Sequence, residues 1–206
     1  MPISFVSVAD AAADTVTLPL FMAGDLAVVF AYRTATTAPS LPAGWTASAI
    51  TSGNNNALRV AYRLLQAGDT TTGTWTNATH SEVLVLRGAA TIGASATGTG
   101  AASTIIAGPT LTMTVSNGSS WVFIAGGHSA ATDVNTVALT GTTTETIGTT
   151  AICIHTARNV SSWTNTTKTV NASGNRANAS VEIIASSAAS HSVLRGVLAG
   201  VHKGIM

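Results

Sequence analysis

Few side chains in this sequence are of types that do acid–base chemistry. Two of its eight carboxylates stand in similar contexts: Glu82 in Ser-Glu-Val-Leu-Val-Leu and Glu182 in Ser-Val-Glu-Ile-Ile-Ala. A pair of facing carboxylates can hydrolyse a glycosidic bond. Their parallel placement in strand-like runs predicts instead two equivalent positions that face solvent, so we expect no enzyme. Asp25 and Asp69 each follow a glycine in a turn, where a carboxylate ordinarily accepts backbone N–H bonds.

The other ionisable and nucleophilic side chains form no recognisable site. Cys153 lies in the apolar run Ala-Ile-Cys-Ile, which is typical of a buried, inert thiol. The sequence contains neither a Gly-x-Ser-x-Gly motif nor a phosphate-binding loop. The histidines lack the short spacing of zinc ligands. They are His80, His128, His155, His191 and His202. We therefore predict no catalytic residue, no metal site and no cofactor.

The four tryptophans offer a different chemistry, because an exposed indole ring can stack on a sugar. Trp45 and Trp75 are the candidates for glycan stacking, as in carbohydrate-binding sandwiches. The alternative is that all the tryptophans fill the core. A core rich in threonine and alanine needs large side chains to reach native packing density, and only 5% of the residues are aromatic.

The composition limits the classes of partner. Charged residues make up 8% of the chain and the net charge is +1, against roughly 25% charged residues in an ordinary domain. With 46% hydrophobic residues the chain is not of a disordered composition. It has no cluster of lysine and arginine for phosphates, so we expect no nucleic acid partner. A surface with so little charge does little to keep copies apart, which favours burial in a larger assembly.

The sequence shows neither a secretory signal nor a membrane span. Residues 1–10 contain no basic side chain before their short apolar stretch, so they lack the form of a secretory signal. No run approaches the roughly eighteen apolar residues of a membrane span. We expect synthesis in the cytoplasm and no membrane partner.

The positions of these side chains depend on a succession of predicted strands. Residues 24–33 and 118–127 are apolar, β-rich runs that open at glycine turns, and we interpret them as matched central strands. Turn signals every eight to twelve residues predict an all-β antiparallel sandwich of jelly-roll type over residues 1–187. The predicted strands are 3–8 and 15–20 as a first pair, then 24–33, 45–50, 58–65, 72–76, 81–87, 110–115, 118–127, 136–140, 142–147, 150–156, 163–169 and 179–185. Residues 88–103 are rich in small side chains and fit either weak strands or a long loop that joins two halves.

The two halves of the chain share an order of segments. Residues 74–79 read Thr-Trp-Thr-Asn-Ala-Thr and residues 162–167 read Ser-Trp-Thr-Asn-Thr-Thr, and a strand with one glutamate follows each. This order suggests half-repeats at 1–100 and 101–187. Chance recurrence in a threonine-rich β-protein is the alternative.

Six turn-and-strand motifs follow one another in the first half of the chain: GDLAVVF at 24–30, PAGW at 42–45, RVAYR at 59–63, AGD at 67–69, TWT at 74–76 and VLVLRG at 83–88. Together they resemble small β-sandwich virion proteins of tailed bacteriophages. The resemblance covers roughly residues 1–187. It implies a tail-fibre, baseplate or capsid-decoration protein, often trimeric, and it transfers no functional residue.

The tail at 188–206 lies outside that resemblance and carries the only helical periodicity. Its apolar residues recur at spacings of three and four, and three glycines would make an isolated helix marginal. We expect this tail to dock on a neighbouring protein, with packing on its own domain as the alternative. The docking residues are Val193, Leu194, Val197, Leu198, Val201 and Ile205.

These features lead to two hypotheses of function. The first is a non-enzymatic structural protein of a phage virion that assembles as a homo-oligomer and is attached to other virion proteins. The second is a carbohydrate-binding module that recognises a host surface glycan through Trp45 or Trp75.

Overall fold

A computed structural model describes residues 1–130, 142–144 and 151–187 as an antiparallel β-sandwich. This confirms the predicted fold class. The strands are β1 (Ser4–Ala11), β2 (Leu26–Arg33), β3 (Thr46–Gly53), β4 (Asn56–Leu64), β5 (His80–Arg87), β6 (Ala89–Gly108), β7 (Ser120–His128), β8 (Thr143–Thr144), β9 (Ile152–Val160) and β10 (Thr166–Ala185). The described part of the chain has no helix long and apolar enough to cross a bilayer.

The two sheets have the same topology. The first is ordered β1-β5-β2-β4-β3 and the second β6-β10-β7-β9-β8, so each strand of one sheet has its counterpart five strands later. The prediction that residues 24–33 and 118–127 form central strands is confirmed, because β2 and β7 occupy the middle positions. Each sheet takes five consecutive strands, which differs from a jelly roll, where strands of the two sheets interleave.

The shared topology is what the half-repeat hypothesis expects, although the boundary differs. Gly88 separates β5 of the first sheet from β6 of the second, so the halves meet at this glycine and not at residue 100. The region 88–103, whose sequence fits either weak strands or a loop, lies mostly in the 20-residue strand β6.

The core lies between the inner faces of the two sheets. Phe30 of β2 meets Phe123 of β7 edge to face, with ring centroids 6.3 Å apart. In the predicted strand 58–65, alternate residues face this core: they are Leu58, Val60 and Tyr62. Burial of such side chains is the main stabilising term, at about 25 cal/mol per Å² of apolar surface.

A loop segment covers the outer face of each sheet. In the first half residues 12–25 bring Val16 and Leu18 onto Ala27 and Val29. In the second half residues 109–119 bring Leu111 onto the outer face of β7 and β9. Both segments are extended but make one isolated bridge each, Thr17 with Thr71 and Leu111 with Trp163.

Several strand predictions are therefore wrong. Three of the predicted strands do not pair in a ladder: 15–20, 72–76 and 110–115. Their residues alternate because the segments pack on a sheet face. Strand β1, predicted to pair with residues 15–20, pairs instead with β5. Residues 163–169 and 179–185 are not two strands, since β10 runs through most of both. The predicted strand 136–140 and half of 142–147 lie outside the described residues.

Gly127 sets the distance between the sheets at one point. A Cβ there would overlap the ring of Tyr32 across the core. We expect Gly127→Ala to lower the free energy of unfolding by about 1 to 3 kcal/mol, the usual cost of overpacking. Denaturant unfolding followed by tryptophan fluorescence measures it.

Gly98→Ala is the matched control, because nothing lies within 4 Å of a Cβ at that position. It should leave stability unchanged or slightly higher, since alanine restricts the unfolded chain more than glycine does. Equal losses in both variants would contradict the role assigned to Gly127.

Candidate interaction surfaces

The prediction that Glu82 and Glu182 are equivalent positions facing solvent is wrong on both counts. Both are fully buried. Glu82 alternates with Val83 and Val85 in β5, so its side chain points to the same side as Leu84 and Leu86, into the inter-sheet core. Glu182 lies between Val181 and Ile183, which face that core, so its own side chain faces outward. The two carboxylates thus point to different faces of different sheets and cannot flank one sugar.

Glu182 holds the loop 109–119 against the second sheet. Its Oε2 accepts the backbone N–H groups of Ala94 (3.0 Å) and Thr114 (2.7 Å), and its Oε1 accepts Val115 N–H (2.9 Å) and the Ser120 hydroxyl (2.8 Å). Burial by itself would raise the pKa of this carboxyl, but these donors outweigh burial and hold its pKa below the ordinary value. The group is a structural anion that joins two segments.

Asp25 and Asp69 act as predicted, as acceptors of backbone N–H groups in turns. Asp25 Oδ2 accepts Met22 N–H at 2.8 Å, and Asp69 Oδ2 accepts Gln66 N–H at 2.8 Å. Each also binds an arginine. Arg87 donates to both oxygens of Asp25 (2.9 and 2.8 Å), and Arg63 Nη2 lies 2.9 Å from Asp69 Oδ2.

Cys153 and His128 lie in structural positions. Cys153 is buried, and burial raises the pKa of its thiol to about 12, which keeps it protonated and unreactive. His128 Nε2 lies 3.0 Å from the Ser103 carbonyl oxygen, and its Nδ1 accepts Ala130 N–H. Among the described residues no three His, Cys, Asp or Glu side chains come together as metal ligands.

The two tryptophans considered for glycan stacking, Trp45 and Trp75, are buried and lack the exposure that stacking requires. Trp45 is 7% exposed and Trp75 is 0% exposed. They pack edge to face with centroids 5.4 Å apart, and the Arg63 guanidinium lies 5.1 Å from the centroid of the Trp45 ring. Neither ring face is open to a sugar. The alternative of core packing holds for these residues, and Trp121 and Trp163 are buried too.

Strand β6 presents an edge with an unusual sequence. Its 20 residues, AATIGASATGTGAASTIIAG, include no charged residue and no proline. Within the described part of the chain it pairs only with β10, and its pairing is regular from Ser95 to Gly100. Ser95 Oγ donates to the Ser48 carbonyl oxygen (3.0 Å), which ties the edge to β3 at that point. The exposed positions beyond it are Thr97, Ala101, Ala102, Thr104 and Ile105.

Proteins usually protect an exposed edge strand with charges, prolines or a short length, because its free N–H and C=O groups can pair with another chain. Strand β6 has none of these three protections. Sequence reasoning left this region open between strands and a loop because glycine and alanine lower strand propensity. Its lack of charge was the signal that could have identified it as an edge suited to a partner.

A second surface is an apolar groove at one end of the sandwich. It has a volume of about 490 Å³ and is lined by Met1, Met22, Leu64, Ala89 and Ala90, with the Asp25–Arg87 ion pair and Ser186 at its polar side. Sequence reasoning missed it because its residues come from five separate segments of the chain.

The tail residues predicted to dock lie outside the described residues: they are Val193, Leu194, Val197, Leu198, Val201 and Ile205. Comparisons of the chain with protein-family models, with curated proteins and with solved structures find no match.

Proposed function

We propose that this protein is a non-enzymatic structural subunit of a tailed-bacteriophage particle. It assembles with copies of itself, as a trimer by likeness to small virion sandwiches, and is attached to neighbouring virion proteins. The observation that carries the proposal is the edge of β6, 20 residues long and free of charge and proline.

An open edge strand supports assembly because a neighbouring chain can add a strand to it. Main-chain hydrogen bonds then supply affinity, and side chains on alternate positions supply specificity. Thr97 and Ala101, both exposed, lie on the part of β6 that a neighbour would meet. Their small side chains allow close approach of a second backbone.

The charge distribution supports the same function. With 8% charged residues, the chain places four of its charges in two turn-bound pairs, Asp25 with Arg87 and Asp69 with Arg63. Little charge is left to repel another copy, so neutral threonine, serine and alanine surfaces can pack together.

The competing functions have less support. A glycoside hydrolase needs two carboxylates across a cleft, whereas Glu82 and Glu182 are buried on different faces. A carbohydrate-binding module that uses Trp45 or Trp75 needs an exposed ring, and both rings are covered.

The assembly can be tested by placing charge on the β6 edge. We expect Thr97→Lys/Ala101→Lys to shift the protein from an oligomer towards a monomer, because a neighbouring strand would have to bury or displace two ammonium groups. Sedimentation velocity over a range of protein concentrations measures the change in mass.

Thr74→Lys/Thr76→Lys is the control, since it adds the same charge at exposed loop threonines away from β6. It should remain as oligomeric as the unmodified protein. A protein that is monomeric at every concentration before any substitution would contradict assembly through this edge.

The virion location has a separate test. Purified particles should contain the protein, and labelled antibody should mark one structure of the particle in electron micrographs. Its absence from washed particles would reject the virion role even if the isolated protein oligomerises.

A further inference from the structure

The apolar groove beside β5 and β6 is open in the described part of the structure. Met1 is 68% exposed, Met22 is 62% exposed and Leu64 is 46% exposed, and all three line it. Large apolar side chains gathered in one exposed patch mark a binding surface more often than chance exposure does. The volume of about 490 Å³ lies within the roughly 300–1,000 Å³ of ligand clefts, enough for a few side chains.

Strand β10 ends at the rim of this groove. Ser186 lines it, and both its N–H (2.7 Å) and its hydroxyl (3.1 Å) donate to the Gly88 carbonyl oxygen. The Met1 nitrogen donates to the Ser186 carbonyl oxygen at 3.1 Å. The position from which residues 188–206 begin is thereby fixed against the groove wall.

We propose that the groove binds the apolar face of residues 193–205 of the same chain. Those residues repeat apolar side chains at helical spacing, so a single face can present Leu194, Val197, Leu198 and Val201 together. Both partners are apolar, and each leaves apolar surface in water when apart. Of the two alternatives for the tail, packing on its own domain is therefore chosen over docking on a neighbouring protein. This holds whether or not the protein belongs to a virion.

Distance favours the chain's own tail over that of another copy. Leu194 is eight residues beyond Ser186, and eight extended residues span at most about 28 Å. A loop this short returns to its origin at little entropic cost, so the tail of the same chain can reach the groove. Tethering at the groove rim gives an effective concentration in the millimolar range, which a separate copy rarely matches.

Paired cysteines in the full-length chain test the proposal. Leu64→Cys/Leu198→Cys should form an intrachain disulfide on mild oxidation, read as a mobility shift at monomer mass on a non-reducing gel. Leu64 is already half exposed, so its substitution should not disturb folding. Cys153 can stay because it is buried.

Ile50→Cys/Leu198→Cys is the matched control. Ile50 is 51% exposed and pairs with Arg59 of β4, away from the groove. The proposal expects at least a tenfold faster disulfide with Leu64 than with Ile50. Equal rates for the two pairs, or no disulfide with either, would overturn it. Disulfide-linked dimers of the Leu64 variant would also overturn it, in favour of exchange of tails between copies.

A second readout covers the case in which the cysteines react slowly. Amide hydrogen exchange should show residues 193–201 protected in the unmodified chain and at least tenfold less protected in Leu64→Asp, while Ile50→Asp leaves protection unchanged. Exchange at unprotected rates in the unmodified chain would reject the docked tail.

Discussion

Replacing Glu182 by leucine is expected to lower the free energy of unfolding by about 3 to 5 kcal/mol. The leucine would leave the N–H groups of Ala94, Thr114 and Val115 and the Ser120 hydroxyl without their acceptor. A buried donor deprived of its partner costs about 1 to 3 kcal/mol, so the loss exceeds that of an ordinary core substitution. Urea unfolding at neutral pH measures it.

Two comparisons separate the hydrogen bonds from packing. Glu182→Gln keeps one acceptor oxygen and should lose less stability than the leucine variant. Hydrogen exchange should also accelerate at Thr114 and Val115 in the leucine variant, because the loop they belong to is no longer held by the carboxylate. A leucine variant within 1 kcal/mol of the unmodified protein would contradict this role.

The second large effect is a loss of stability in mild acid that comes from His155. This side chain is buried, and burial together with the nearby Lys168 charge lowers its pKa to about 4 from 6.5. Between those two pH values the unfolded chain binds a proton that the folded chain does not. Stability therefore falls as pH decreases from about 6.5, by about 2 kcal/mol at pH 5 and about 3 kcal/mol near pH 4.

His155→Gln should remove most of this slope between pH 6.5 and pH 4.5, with a smaller part left from His80, whose pKa is also lowered by burial. The experiment is a series of urea unfolding curves over that range for both proteins. The contribution to stability has the opposite sign for Glu182. Its lowered pKa stabilises the fold above the ordinary carboxyl pKa of 4.5, and this stabilisation is lost as pH falls through the folded pKa. An unmodified protein with constant stability from pH 7 to pH 5 would contradict the assignment to His155.

The sequence was most informative where one physical signal dominated. The runs at 24–33 and 118–127 are apolar at nearly every position, a pattern typical of strands buried on both faces, and they form the two central strands. The turn carboxylates Asp25 and Asp69 were also predictable, because an aspartate after glycine in a turn has nearby backbone donors.

The predictions failed where tertiary packing decided the outcome. Residues 15–20 and 110–115 alternate like strands, but the alternation reflects packing onto a sheet face by loops. The apparent equivalence of Glu82 and Glu182 was wrong. Glu82 pairs with Phe30 of β2, whereas the residue that pairs with the matching Phe123 of β7 is Val181, so Glu182 is shifted to the other face. A shift of one residue reverses every side chain in a strand.

The candidate surfaces were the least predictable part. The groove gathers Met1, Met22, Leu64 and Ala90 from segments that only the folded topology brings together. Strand β6 has low intrinsic strand propensity, and it is held as a strand by its ladder with β10, which is also 20 residues long and pairs with it from Thr166 to Ala185.

The repeated topology of the two sheets has a consequence for the origin of the chain. A polypeptide of half this length would carry one five-stranded sheet with an apolar face, and two such molecules could bury those faces against each other as a symmetric homodimer. Fusion of the two genes would place both partners in one polypeptide, so that closing the core no longer depends on the cellular concentration of the product. The present chain has the architecture of such a fused dimer, in which each half could then diverge separately.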